Sequence, residues 1–196
     1  MRIQDKLAKL RNKRGFTLVE LMIVVAIIGV LAALAIYGVR KYLTNAKTAE
    51  ARTALGRLAK DAQSAYEKET LSQAVVPITT AKGIARSLCP TATNTVPASK
   101  VNIQNSKYQS SPAEWKAVGW DCLKFTMSDP QYFMYGYAST GTAGAVGETF
   151  TGTAQGDLDG DTVLSTFTFG GEIQGTTDND KVLTLFDQIR EANVEE

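Results

Sequence analysis

One stretch of this sequence restricts its fold more than any other. The 19 residues from Leu21 to Val39 carry no charge (LMIVVAIIGVLAALAIYGV). As an α-helix this stretch would be about 28 Å long at ~1.5 Å per residue, close to the ~30 Å hydrocarbon core of a bilayer. The 15 residues before Phe16 hold six basic side chains and one acidic side chain. Because basic residues beside a membrane helix stay cytoplasmic, we expect the remainder of the chain to be translocated.

Three interpretations fit such an N-terminus. The stretch could be a simple membrane anchor. It could be the apolar core of a signal peptide, cleaved at the small-residue pattern Ala33-Leu34-Ala35 so that the protein begins at Ile36. Alternatively, residues 1–15 could be a leader that is removed ahead of the apolar stretch, which would leave that stretch in the mature protein.

The residues around the start of the stretch favour the third interpretation. The sequence RGFTLVE at residues 14–20, followed directly by apolar residues as far as Ile36, resembles the processing site of type IV prepilins and the related pseudopilins. The resemblance implies a leader at residues 1–15, which a membrane prepilin peptidase removes by cutting after Gly15. It also implies methylation of the new amine on Phe16 and a transmembrane or filament-core helix at residues 16–39.

Glu20 is an acidic residue at the edge of this apolar segment. A carboxylate within a membrane helix costs roughly 2.5–3.5 kcal/mol on insertion scales, and less near the interface. One role is local, because Thr17-x-x-Glu20 has the spacing of a helix capping box. The resemblance to pilins implies a second role, in which Glu20 pairs with the Phe16 amine of a neighbouring subunit and sets the register of a filament. The two roles are compatible.

The sequence departs from the family pattern at one position. Many pilins carry Pro where Tyr37 stands, and their helix is often melted between a Gly equivalent to Gly29 and that Pro. Here Gly29 is present, Pro is not, and Gly38 follows Tyr37. The sequence leaves open whether this helix melts in a filament.

Beyond Val39 the pattern predicts a longer helix and then a head. Apolar residues recur at intervals of three and four from Tyr42 to Tyr66, which indicates an amphipathic helix over residues 40–69. Residues 70–196 are predicted to form a globular β head with a connecting loop. Strands are expected at residues 122–127, 132–139, 148–155 and 162–169. The fold class is therefore α+β, a long helix packed on a small antiparallel sheet, which also resembles the pilin fold.

The chain has two cysteines, Cys89 and Cys122. In a translocated protein an even number of cysteines favours a disulfide over two unpaired buried thiols. The loop between them is long enough for such a bond to contribute about 3–4 kcal/mol.

A second candidate site is the acidic sequence DLDGD at residues 157–161. Asp157, Asp159 and Asp161 alternate in a way that suits an oxygen-coordinated cation such as Ca²⁺. The spacing does not match an EF-hand loop. The alternative is a tight hairpin turn with solvated carboxylates.

Composition excludes several functions. The chain has no His, which excludes a Ser-His-Asp triad, a Cys-His pair and His-ligated zinc. Residues 16–120 carry a net charge of +6 and residues 121–196 a net charge of −10. An acidic head is poorly suited to direct nucleic-acid binding, which depends on Lys and Arg contacts with phosphate.

These observations predict a structural subunit rather than an enzyme. The resemblance implies a major pilin of a type IV pilus that serves surface motility, adhesion or DNA uptake. It implies residence in the cytoplasmic membrane before assembly and in an extracellular filament of identical subunits afterwards. The implied partners are the prepilin peptidase, an inner-membrane platform protein and an assembly ATPase. A pseudopilin of a type II secretion system and a minor pilin share every N-terminal feature and remain alternatives.

Overall fold

The computed structural model describes residues 15–68, 86–177 and 180–194. Within these residues the α-helices are α1 (Leu18–Glu67) and α2 (Val118–Leu123), and short 3₁₀ helices lie at Lys100–Ile103 and Glu114–Lys116. Five strands follow: β1 (Met134–Ser139), β2 (Thr149–Gly156), β3 (Ser165–Gln174), β4 (Val182–Leu185) and β5 (Arg190–Ala192). The chain divides into two compact units, Met1–Leu43 and Thr44–Glu196. The expected α+β class is confirmed.

In the first unit every described residue, from Gly15 to Leu43, is exposed. The helix here is apolar around most of its circumference, so it has no polar face to turn toward water. Such a surface belongs in lipid or against other protein. This unit holds the part of α1 that the sequence predicted to be transmembrane.

In the second unit the remainder of α1 is amphipathic and buries one stripe against the head. Gly152 of β2 allows close approach, because a Cβ there would lie 2.8 Å from a methyl carbon of Leu58 and 3.3 Å from one of Leu55. The buried residues of α1 recur at intervals of one, three and four, which places them on one face of the helix: Thr48, Ala51, Ala54, Leu55, Leu58, Ala59, Ala62 and Tyr66.

The head contains one antiparallel sheet in the order β1-β2-β3-β4, and β5 also pairs with β3. The strands expected at residues 148–155 and 162–169 are present as β2 and β3, which pair as a hairpin with Gly156 opposite Ser165. Side chains of β2 alternate strictly between buried and half-buried, the pattern of a sheet with one face on the core.

An aromatic cluster fills the core beside this sheet. The ring centroids of Trp115, Trp120 and Phe125 lie 5.0–5.7 Å apart, and Phe125 lies 6.3 Å from Tyr135 of β1. Both indole N–H groups are satisfied: Trp115 donates to the Ser110 hydroxyl and Trp120 to the Asn94 carbonyl, each at 3.0 Å. Burial of these large rings connects α2 and the preceding 3₁₀ turn to the sheet.

The strand expected at residues 122–127 is wrong. Cys122 and Leu123 belong to α2, which ends where Lys124 adopts a left-handed backbone (φ 58°), and residues 125–128 are irregular. The alternation in this segment is also compatible with one helical turn. The buried Trp120 and Leu123 favour that helical turn because both side chains then face the core. The predicted helix end at residue 69 lies outside the described residues, and α1 is helical to Glu67.

Glu50 joins α1 to the start of the sheet. Its Oε1 accepts a hydrogen bond from the Tyr132 backbone N–H (2.9 Å) and another from the Tyr135 hydroxyl (3.1 Å). Burial raises the pKa of the Glu50 carboxyl, and these hydrogen bonds and the nearby Lys107 ammonium oppose that rise without cancelling it.

This raised pKa predicts a pH-dependent stability. The folded state binds more protons than the unfolded state between the ordinary Glu pKa of 4.5 and the higher folded-state pKa. The free energy of unfolding should therefore decrease as pH rises through that window. Glu50→Gln should flatten this dependence. Urea unfolding of the full chain in detergent micelles, followed by tryptophan fluorescence, measures it at several pH values.

Asp61 provides the matched control for Glu50. Burial also raises the pKa of the Asp61 carboxyl, while Arg57 opposes the rise. Asp61→Asn should leave the Glu50 component of the slope in place. An unchanged slope in Glu50→Gln would show that Glu50 does not titrate differently in the folded and unfolded states.

Candidate assembly surface

The described part of the first unit is a helix whose surface consists mainly of large, exposed apolar side chains. Phe16 is 83% exposed, and the large apolar side chains from Leu18 to Leu43 are 45–73% exposed. Within the described residues, α1 is the one helix long and apolar enough to cross a membrane, and none of its apolar window is buried in the chain itself. Because a monomer in water would expose an apolar area far above that of ordinary soluble proteins, this surface requires a bilayer or a protein partner.

Glu20 and Thr17 form the capping box that their spacing predicts. The Thr17 backbone N–H and hydroxyl donate to Glu20 Oε2 at 2.9 and 2.8 Å, and the Glu20 N–H donates to the Thr17 hydroxyl at 3.2 Å. Within the described part of the chain, all hydrogen bonds accepted by the carboxylate go to Oε2. The other oxygen, Oε1, can therefore accept a bond from outside the subunit while the cap stays intact.

The predicted cleavage site lies directly before this cap. Gly15, Phe16 and Thr17 precede the helix, which begins at Leu18. Leader residues 1–14 lie outside the described residues. Phe16 and Glu20 share no hydrogen bond within the described chain, so the structure does not bring the two predicted partners together inside one subunit.

Gly29 and Gly38 do not interrupt α1 in the single chain. The helix runs continuously through both glycines and Tyr37. A Cβ added at either glycine would meet nothing within 4 Å. Contacts within the described subunit therefore do not require glycine at these two positions.

The disulfide predicted between the two cysteines is present. It joins Cys89, in the connection after α1, to Cys122 of α2, and the two cysteines are 33 positions apart in the sequence. Cys89 is buried and Cys122 is exposed. The bond holds the connection against α2 beside Gly119, where a Cβ would lie 2.5 Å from Ala92 backbone atoms.

The three aspartates of the β2–β3 loop lie close together, with carboxylate oxygens within 4.8 Å of one another. Each one also accepts backbone hydrogen bonds within the loop. Asp157 accepts from Gly160 and Thr162, Asp159 from Asp161, and Asp161 from Val163, at 2.7–3.2 Å. These hydrogen bonds show that the three carboxylates stabilise the turn. A Ca²⁺ site at these residues stays a prediction.

Sequence reasoning missed the ion pair that joins the middle of α1 to the last strand. Arg52 donates to both carboxylate oxygens of Glu191, at 2.6 and 3.0 Å, and its guanidinium lies 5.7 Å from the Phe167 ring centroid. The two residues are 139 positions apart. No local pattern could have indicated that pairing.

Comparison with known families identifies the class of the N-terminal region. The family model described as "Prokaryotic N-terminal methylation motif" matches residues 10–36. This range includes the predicted cleavage site, Glu20 and the apolar segment as far as Ile36. The N-terminal region of the chain is therefore similar to that of proteins that carry this motif.

Individual relatives make the class more specific. The chain is 57% identical over 47 residues to the type IV major pilin protein PilA of Myxococcus xanthus, an alignment covering 24% of this chain and 21% of the relative. It is 40% identical over 85 residues to fimbrial protein Q of Moraxella bovis, covering 38% and 54%. It is 38% identical over 73 residues to the type IV major pilin protein PilE1 of Neisseria gonorrhoeae, covering 37% and 32%.

These matches confirm the resemblance to type IV pilins. The alignments cover from about a fifth to about half of the length of these relatives. No solved structure matches the chain significantly. The relatives are major pilins and fimbrial proteins, which supports a structural role in a pilus and fits a membrane-anchored pilin.

Proposed function

We propose that this protein is the subunit of a type IV pilus and that its N-terminal helix drives polymerisation after leader removal. The observation that carries the proposal is the match to the methylation motif at residues 10–36, which extends into a helix whose described residues up to Leu43 are all exposed. An uncovered apolar helix of this length is stable in a bilayer as a stored subunit. It is also stable in a filament, where copies cover one another.

Removal of residues 1–15 would prepare the subunit for this exchange. The six basic leader residues hold the N-terminus on the cytoplasmic side and oppose its movement through the membrane. Cleavage removes these charges and creates an amine on Phe16. The mature chain then has one positive group and one carboxylate, that of Glu20, near the start of its apolar helix.

Glu20 would complete assembly by accepting the Phe16 amine of a neighbouring copy. An unpaired carboxylate or amine inside an apolar filament core is costly, whereas the pair satisfies both charges. Oε1 of Glu20 is suited to this role because the capping bonds go to Oε2. The pairing requires a fixed axial offset between copies and therefore sets the filament register.

The disulfide-bonded α+β head would then form the outer surface of the filament. By this proposal the protein resides in the cytoplasmic membrane before assembly and outside the cell afterwards. A prepilin peptidase, a platform protein and an assembly ATPase would act on it. Twitching motility, adhesion and DNA uptake are the activities that such a filament would serve.

The N-terminus and intact mass of the protein in sheared surface filaments test the proposal. We expect a chain that begins at Phe16, carries one additional methyl group and is abundant in the filament fraction. A chain that begins at Ile36, or that keeps Met1, would contradict the proposal because no Phe16 amine would exist. A correctly processed chain that is scarce in filaments would instead favour a minor pilin or a pseudopilin.

A further inference from the structure

One edge of the sheet is formed by an interrupted strand. β4 and β5 both pair antiparallel with β3, where Leu185 faces Gly171 and Arg190 faces Thr168. The outer chain therefore advances five residues while β3 advances three. The two extra residues form a bulge that contains Asp187 and Gln188, and both side chains are exposed.

The ends of this bulge are held in place. On one side the Phe186 N–H donates to the Gly170 carbonyl at 2.9 Å, which continues the β4 pairing by one step. On the other side Arg52 of α1 binds Glu191 of β5. Gly171 allows the outer chain to approach, since a Cβ there would lie 2.6 Å from the Thr184 carbonyl oxygen. The extra residues must therefore project from the sheet.

The two edges of the sheet differ in whether another segment pairs with them. The β1 edge is covered by the segment before α2, because Val96 and Tyr135 exchange backbone hydrogen bonds at 2.8 and 3.0 Å and the Ala92 N–H donates to the Tyr137 carbonyl at 3.0 Å. Among the described residues, no backbone hydrogen bond joins the outer side of β4 or β5 to another segment. Within the described residues, this second edge has no strand or loop paired along it.

The sequence of the open edge would be prone to pairing if it were regular. Residues 182–186, VLTLF, are β-branched, aliphatic or aromatic, carry no charge and contain no Pro. Such segments on an exposed edge are typical sites of strand addition between chains. Val182 is 59% exposed and Phe186 is 43% exposed, so the segment is accessible to another copy.

We propose that the Asp187–Gln188 bulge prevents the heads of different copies from pairing edge to edge at β4 and β5. A second copy would have to extend its own strand along this edge, and the projecting residues interrupt that line after Phe186. The unbulged runs, Val182–Leu185 and Arg190–Ala192, are each short. Asp187, Arg190 and Glu191 add charge to the part of the edge that follows Phe186. This inference concerns the head alone and does not depend on the proposed function.

Deletion of Asp187 and Gln188 tests the inference. Because two residues are removed, the alternation of side chains is preserved and Arg190 and Glu191 keep their faces. The edge becomes one continuous strand from Val182 to Ala192. We expect the sheet-rich, thioflavin-T-positive aggregated fraction of the full chain in detergent micelles to rise by about tenfold, which corresponds to ~1.4 kcal/mol of added association free energy.

A rescue variant separates edge pairing from misfolding. Thr184→Lys places a charge on the exposed side of β4, where edge strands are commonly protected by Lys. Added to the deletion, it should return the aggregated fraction to the wild-type level, and alone it should have no effect. The inference is overturned if the deletion variant keeps its tryptophan fluorescence and does not aggregate more than wild type. It is equally overturned if the deletion aggregates and Thr184→Lys does not reverse this.

Discussion

Replacing Glu20 with Gln should abolish filament formation while leaving the subunit in the membrane. Gln keeps the acceptor that caps the helix, since both Glu and Gln serve at this position of a capping box. It removes the negative charge that would meet the Phe16 amine. Leaving one partner of a buried ion pair alone costs about 3–5 kcal/mol, so we expect the filament yield to fall by more than ~100-fold. Quantification of sheared filaments against membrane-bound subunit measures this ratio.

Thr17→Ala is the matched control, because it weakens the cap and keeps the carboxylate. It removes the hydroxyl that donates to Glu20 Oε2 and accepts from the Glu20 N–H, but the Thr17 backbone donor remains. Loss of a cap costs about 1 kcal/mol, so filaments should persist at a reduced level. If Glu20→Gln assembled as well as Thr17→Ala, the carboxylate would have only a capping role. The mature N-terminus must be verified in both variants, so that a failure of cleavage is not mistaken for a failure of assembly.

Replacing both cysteines with Ser should destabilise the head by about 3–4 kcal/mol, the chain-entropy contribution of a closed loop of this length. The bond restrains the connection at Cys89 and the helix at Cys122, on either side of the buried Trp115 and Trp120. Without it the unfolded chain gains conformational freedom, and the folded state gains nothing in return. Urea unfolding of the full chain in detergent micelles measures the change in the free energy of unfolding through tryptophan fluorescence.

The reduced wild-type chain is the control for this variant. Cys122 is exposed, so a thiol reductant can reach the bond. Reduced wild type and the double Ser variant should unfold at the same urea concentration, below that of the oxidised protein. Equal stability of the oxidised and reduced chains would show that the aromatic core alone holds α2 in place. A variant less stable than the reduced chain would point to a packing defect at the substituted positions.

The part of the fold that the sequence predicted is governed by neighbouring residues. The apolar segment from Leu21 to Val39 and the amphipathic spacing after it predicted one long helix, and the structure has α1 at Leu18–Glu67. The spacing of Thr17 and Glu20 predicted the capping hydrogen bonds between them, because the two partners are three residues apart. The β2–β3 hairpin was likewise visible in two alternating segments separated by a polar turn.

The segment at residues 122–127 shows why the prediction failed elsewhere. A short alternating pattern satisfies either a strand or a helical turn, and the choice depends on what the side chains meet. Here the Trp115, Trp120 and Phe125 rings pack together and the disulfide fixes Cys122, so the helical turn is the more stable outcome. None of these partners could be assigned to that segment from the sequence alone.

The sequence by itself determined the membrane-length helix, its cap and the processing motif, because each depends on residues within a few turns of one another. Tertiary structure decided the contacts of Glu50 with Tyr132 and Tyr135, the ion pair of Arg52 with Glu191, and the bulge between β4 and β5. These features join positions far apart in the chain. The packing of α1 on the sheet determines which side chains meet. No local sequence pattern indicates these pairings.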